Sequence, residues 1–108
     1  MSEMEDFLKA LADENRLKII DYIKRGARTS IEIQEALKKS QSTISQHLKI
    51  LVDEEILTYE RDLAKKIYTI KYPEVIDIIS SINQLLARRN REKFTKISDD
   101  AVSDTLRT

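Results

Sequence analysis

The chain has no cysteine, one glycine, one proline, one histidine and no tryptophan in 108 residues. Without cysteine it forms no disulfide, holds no metal through thiolates and carries no thiol redox switch. A single imidazole cannot build a transition-metal site or a catalytic triad unaided. There is no phosphate-binding glycine loop, so nothing supports an enzyme. No apolar run approaches the roughly 18 residues that span a bilayer, and no signal-peptide pattern is present. The expectation is a soluble cytoplasmic protein. Neither sign of charge dominates, with 19 Lys+Arg against 19 Asp+Glu. Net charge therefore says nothing about nucleic acid, and only its distribution can.

Glycine and proline are scarce and helix-favouring residues abundant, which makes the chain mostly α. Its length suits one modest core. Ser2-x-x-Glu5 is a capping-box pattern for a helix over about Met4–Ala12, with Phe7, Leu8 and Leu11 apolar. Asp13 caps a second helix to about Arg25, with a stripe of Leu17, Ile20 and Ile23 and with Ile19 beside it, stopped by Gly26. Thr29-x-x-Glu32 is a second capping box, opening a short helix that buries Ile33, Ala36 and Leu37.

The most informative segment is Ser40 to Leu51. Capped by Ser40, its helix runs to about Glu54 and buries Ile44, Leu48 and Leu51 at i, i+4, i+7. At about 100° per residue, Gln41, Ser42, Ser45, Gln46 and Lys49 fall within an arc of roughly 140°. That arc holds hydroxyls, carboxamides and one ammonium, with no acid. Gln pairs bidentately with adenine, and Ser or Thr reaches base edges or phosphates. Thr43 joins this set from the same first turn. From Ala36 to Val52 there are three lysines and no acid, so positive charge is local to this helix. Lys38 and Lys39 sit before its N-terminus, where backbone N–H groups favour phosphate. The bland reading is an amphipathic helix with a solvated polar face. The flanking segments count against it, because two short helices joined by about three residues form a helix-turn-helix.

The period then shifts. Ile56–Arg61 and Lys66–Lys71 are β-branched and aromatic with partial alternation, joined through Asp62–Lys65. A hairpin there is a wing, although its tip lacks the usual Gly or Asn. Arg61, Lys65 and Lys66 are its candidate phosphate contacts. Pro73 opens a last helix with an apolar stripe of Val75, Ile78, Ile79, Ile82, Leu85 and Leu86. This stripe exceeds what so small a core can cover, which suits a dimer interface. Arg88, Arg89, Arg91 and Lys93 follow as a solvated helix end or an extra DNA contact. Residues 1–94 thus form one domain, followed by a polar tail over 95–108 that is disordered or a weak last turn. His47 reads as a packing or phosphate-contacting residue beside Leu48. The four tyrosines read as core or sheet-face residues.

This order is that of a winged helix-turn-helix. Phe7 to Ile20 resembles the opening "K-A-L-A-D-x-x-R-L-x-I-L" of the ArsR/SmtB family of repressors. Ser40 to Leu51 resembles that family's recognition helix "S-Q-S-x-V-S-x-H-L-x-x-L". The likeness covers about residues 4–86. It implies a homodimer bound to an inverted-repeat operator in double-stranded DNA. Met4, Phe7, Leu8 and Leu11 of the first helix would join the last-helix stripe in the interface. The departure from the family is in the sensor. The third-helix segment Thr29–Leu37 has no Cys, and the last helix offers only Glu74 and Asp77, with no His. Isolated carboxylates suit transition metals poorly, and acids in a first turn are favoured by the helix dipole anyway. The resemblance therefore implies a homodimeric repressor that does not sense metal through thiolates, needs no cofactor, and answers to an unknown effector. The alternative is a winged-helix protein–protein interaction module, which neutral net charge mildly favours.

Overall fold

In a computed structural model, the described residues are 2–107, with side chains placed as far as residue 96. The chain divides into two compact units, one up to Val75 and one from Ile76.

The first unit begins with α1 (Glu3–Leu11) and α2 (Glu14–Ile23), whose caps are those read from sequence. Ser2 Oγ accepts from the Glu5 N–H at 3.2 Å, and an Asp13 carboxylate oxygen accepts from the Arg16 N–H at 3.0 Å. The buried face of α2 is Ile19, Ile20 and Ile23. Leu17, expected on that stripe, is 39% exposed. Ile19 and Leu17 both border the stripe, and packing against the rest of the unit selects Ile19. α3 (Ser30–Leu37) carries the reciprocal Thr29/Glu32 capping box. It buries Ile33 fully, leaves Leu37 half-buried and exposes Ala36, which was expected inside. A helix of little more than two turns has one residue at the centre of its inner face.

α4 (Gln41–Asp53) is capped by Ser40 and buries Ile44, Leu48 and Leu51. It ends in a Schellman arrangement. Glu55 takes the left-handed conformation usual for glycine (φ 57°), its N–H donates to the Val52 carbonyl, and the Ile56 N–H donates to the Leu51 carbonyl. Ile56 and Leu57 then enter the core fully buried.

The wing is β2 (Leu57–Asp62) and β3 (Lys65–Ile70), antiparallel from Leu57↔Ile70 to Asp62↔Lys65. Its loop is only Leu63 and Ala64, tighter than the sequence suggested. Leu63 has φ 57° and is 96% exposed. A third strand was not anticipated: β1 (Arg28–Thr29) pairs with β3, giving the order β1-β3-β2. This strand ties the entry to the helix-turn-helix directly to the wing.

α5 (Glu74–Arg107) is one continuous helix that passes residue 94, where the tail was expected to begin. Expectations for side chains from residue 97 onward lie outside the described residues. Val75 and Leu11, both expected in a dimer interface, are 3% and 6% exposed and belong to the core. Ile78, Ile82, Leu85 and Leu86 are 36–52% exposed.

Candidate nucleic-acid interface

The Ser40 cap determines how α4 presents its polar face. Ser40 Oγ accepts from the Thr43 N–H at 3.2 Å and its hydroxyl donates to Thr43 Oγ1 at 3.0 Å. Thr43 is thereby half-buried and engaged in the cap, while Gln41, Ser42, Ser45 and Gln46 are exposed. With Ile44 and Leu48 sealed in the core on the opposite side, the helix cannot rotate this face inward. α1, α2 and α3 each carry acid in the first turn, and α4 carries none. Its positive dipole end is left for an outside anion. Lys38, left-handed at φ 55°, and Lys39 are exposed in the turn before it.

Lys49 is less free than its sequence position suggested. Its ammonium lies 3.0 Å from the Asp53 carboxylate, one turn on. The i, i+4 spacing could have revealed this pair. Both side chains are well exposed, so the contact is weak and exchangeable. An open groove of about 390 Å³ separates α4 from the wing, with Ser45, Lys49 and Asp53 on one wall and Tyr59 and Lys66 on the other. Lys66 stacks its ammonium 4.5 Å from the Tyr59 ring centroid and is half-buried. Lys65 and Arg61 are exposed on the wing. Three of the tyrosines thus have cation partners beyond the packing expected of them, since Arg28 lies over Tyr22 at 4.3 Å and Lys71 over the exposed Tyr72 at 5.5 Å.

His47 packs inward. Its Nδ1 is 3.2 Å from Arg16 Nη1 and 3.9 Å from an Asp13 carboxylate oxygen, and its side chain is 15% exposed. No sequence spacing signals this contact, because the partners stand 31 residues apart. The Arg16 N–H, foremost, holds the Asp13 carboxyl below the usual range against a smaller opposing effect of burial, with the Arg16 charge assisting.

Residues 13–59, spanning α2 to the first half of the wing, match the family described as "Bacterial regulatory protein, arsR family". The chain is 36% identical over 81 residues to the arsenical resistance operon repressor of Staphylococcus aureus, covering 75% of this chain and 78% of that protein. The chain belongs to the arsR family. It is a winged helix-turn-helix transcriptional regulator and not an enzyme. Among solved structures, Mycobacterium tuberculosis Rv0081 shares the fold at TM-score 0.78 and 24% identity, over 83% of this chain and 91% of that one. The homodimeric winged helix-turn-helix DNA-binding domain of Mb0332 from Mycobacterium bovis has TM-score 0.71 and 26% identity, over 80% and 79%. Against this arsR-family background, no group of three or more metal-ligating side chains occurs among the described residues. No helix among them is long and apolar enough to cross a membrane.

Proposed function

We propose that this arsR-family protein is a cytoplasmic homodimeric repressor that reads an inverted-repeat operator with Gln41 and Gln46. Ser42, Ser45 and Lys49 support the reading, with Thr43 at the helix cap. Lys38, Lys39, Arg61, Lys65 and Lys66 hold the phosphate backbone. The observation that carries this reading is the exposed, acid-free face of α4, fixed in rotation by Ile44, Leu48 and Leu51 beneath it. Residues 1–94 supply both DNA binding and dimerisation. Met4, Phe7 and Leu8 of α1, and Ile78, Ile79, Ile82, Leu85 and Leu86 of α5, each offer apolar surface to a second copy, while Leu11 and Val75 belong to the core. Two-fold symmetry then sets the recognition helices about 34–36 Å apart, one turn of DNA.

With no cysteine and one histidine per chain, release from DNA does not run through thiolate ligation. If a release signal exists, it is an organic ligand, a partner protein or simply changing protein concentration. The test is selection of genomic fragments by the purified protein, followed by Gln41→Ala and Gln46→Ala on the selected site. Each variant should lose about 1–3 kcal/mol of binding and relax specificity at one position per half-site. Full affinity in both variants would remove the base-reading assignment.

A further inference from the structure

Leu63 stands at the tip of the wing, the first of the two residues between β2 and β3. It is 96% exposed and left-handed, with φ 57°. Singly exposed leucines are ordinary. A left-handed leucine is not, because its Cβ crowds the following carbonyl oxygen, and two-residue hairpin loops favour glycine, asparagine or aspartate at such a position. Neither backbone nor packing in the free protein therefore calls for an apolar residue here.

The surroundings of this leucine are cationic. Side chains alternate along the strands, so Tyr59 and Arg61 of β2 share one face with Lys66 and Tyr68 of β3. Tyr59, Lys66 and Tyr68 line the groove toward α4. The wing's acids, Glu60 and Asp62, fall on the other face, where Asp62 stands opposite Lys65. Arg61 stands directly opposite Lys66, and among the described residues no ion pair engages either. Like charges set opposite each other cost stability in the free protein, and an anion between them relieves the cost. An apolar tip flanked by unpaired cations matches a narrow duplex groove, with phosphates on both walls and stacked bases between them.

The wing has the reach. Leu57 is buried in the core at 1% exposure, and Leu63 lies six residues further on, about 20 Å along an extended strand. With α4 in a major groove, the neighbouring minor groove is about half a turn away, roughly 17 Å along the duplex. That groove is about 6 Å wide, enough for one leucine side chain.

We propose that Leu63 is a wedge, which enters the minor groove beside each half-site and inserts between two base pairs, partly unstacking them and bending the duplex, while Arg61 and Lys66 hold the adjacent phosphates. The proposal rests on the DNA-binding reading above and adds a specificity-determining residue to it. Leucine makes no hydrogen bond and so reads no base edge. It selects steps that unstack easily, the pyrimidine–purine steps TA and CA/TG. Sequence is then sensed at a position that the polar face of α4 does not touch.

The test uses the operator fragment selected as above with Leu63→Asn, Leu63→Ala and Leu63→Met, all checked for folding by circular dichroism. Asn suits the left-handed backbone, and Met keeps an apolar wedge. Fluorescence anisotropy reads affinity, and the gel mobility of circularly permuted fragments reads the bend. Leu63→Asn and Leu63→Ala should each lose about tenfold in affinity and most of the bend, while Leu63→Met should stay within about threefold of the wild type. All three should keep the wild-type slope of log affinity against log salt, because no phosphate contact is removed. Replacing the pyrimidine–purine step beside each half-site with a stiff A-tract should weaken the wild type and leave Leu63→Asn unchanged. Wild-type affinity and bend in Leu63→Asn would overturn the wedge, and if Gln41→Ala and Gln46→Ala still weaken binding, the DNA-binding reading survives it. A flattened salt slope in Leu63→Asn would make the tip a phosphate-positioning element and would overturn the wedge as well. Unchanged binding in the glutamine and the leucine variants alike would remove the base-reading assignment together with the wedge.

Discussion

Arg16 of α2 donates to His47 of α4, with guanidinium Nη1 3.2 Å from imidazole Nδ1. Arginine has no acceptor, so Nδ1 is the acceptor and the ring proton of the neutral imidazole sits on Nε2. The same guanidinium donates through Nε to the Ala10 carbonyl at 2.6 Å and through Nη2 to the Lys9 carbonyl at 3.0 Å. One side chain thus closes the end of α1 and steadies the recognition helix from behind.

Arg16→Met should therefore cost about 1–3 kcal/mol of stability, because it strands the Ala10 carbonyl together with the His47 nitrogen and leaves the Lys9 carbonyl only its bond from the Ala12 N–H. Urea denaturation at neutral pH measures this. Operator affinity should fall as well, although Arg16 is not on the polar face of α4. A variant as stable as the wild type would mean that water replaces the guanidinium without penalty.

Asp13 gives a pH dependence with a definite sign. Its carboxyl is held below the ordinary value chiefly by the Arg16 N–H, so the unfolded chain binds more protons there than the folded one. The stabilisation is full above the ordinary Asp pKa of about 3.9 and is lost as pH falls through the lowered value. Asn keeps the cap without the charge. The stability gap between wild type and Asp13→Asn should therefore narrow between about pH 5 and about pH 2. A gap independent of pH would assign the cap no electrostatic part.

On the wing, Lys65 is exposed while Lys66 lies against Tyr59. Lys65→Ala should weaken binding to all DNA sequences alike and flatten the slope of log affinity against log salt by about 0.9 for each phosphate no longer neutralised. Lys66→Ala should flatten it less and also lower stability, since it uncovers the ring. Titrations at several salt concentrations distinguish the two, and equal slopes would contradict their different settings.

Leu63 occupies a left-handed position with its side chain almost wholly in solvent. Asn tolerates that conformation, and no packing is sacrificed, so Leu63→Asn should raise stability by about 0.5–1 kcal/mol. Thermal denaturation reads the effect. An unchanged melting temperature would mean that the tip relaxes in solution.

The recognition helix was legible in sequence because three local signals agree there: the Ser40 cap, the Ile44–Leu48–Leu51 stripe and the acid-free arc between them. The Thr29/Glu32 box was legible for the same reason. β1 was not, since two residues are too few to show a period. Nor was the choice of Ile19 over Leu17, which tertiary packing makes. The Arg16–His47 contact joins positions far apart in the chain and leaves no local trace. Lys49 and Asp53 were readable as a pair by spacing, yet Asp53 falls just past the acid-free stretch.

The first turn of α4, which lacks the carboxylate that α1, α2 and α3 each carry there, means that the protein is less stable empty than its architecture allows. An acid there would contribute about 0.3–1 kcal/mol to the free protein and would repel the phosphate that should occupy the same place. Ser42→Asp should accordingly raise the melting temperature and depress operator affinity together. Selection for a hardier fold and selection for occupancy of the genome pull this one turn in opposite directions. DNA, by binding only the folded form, supplies the missing stabilisation at the moment of use.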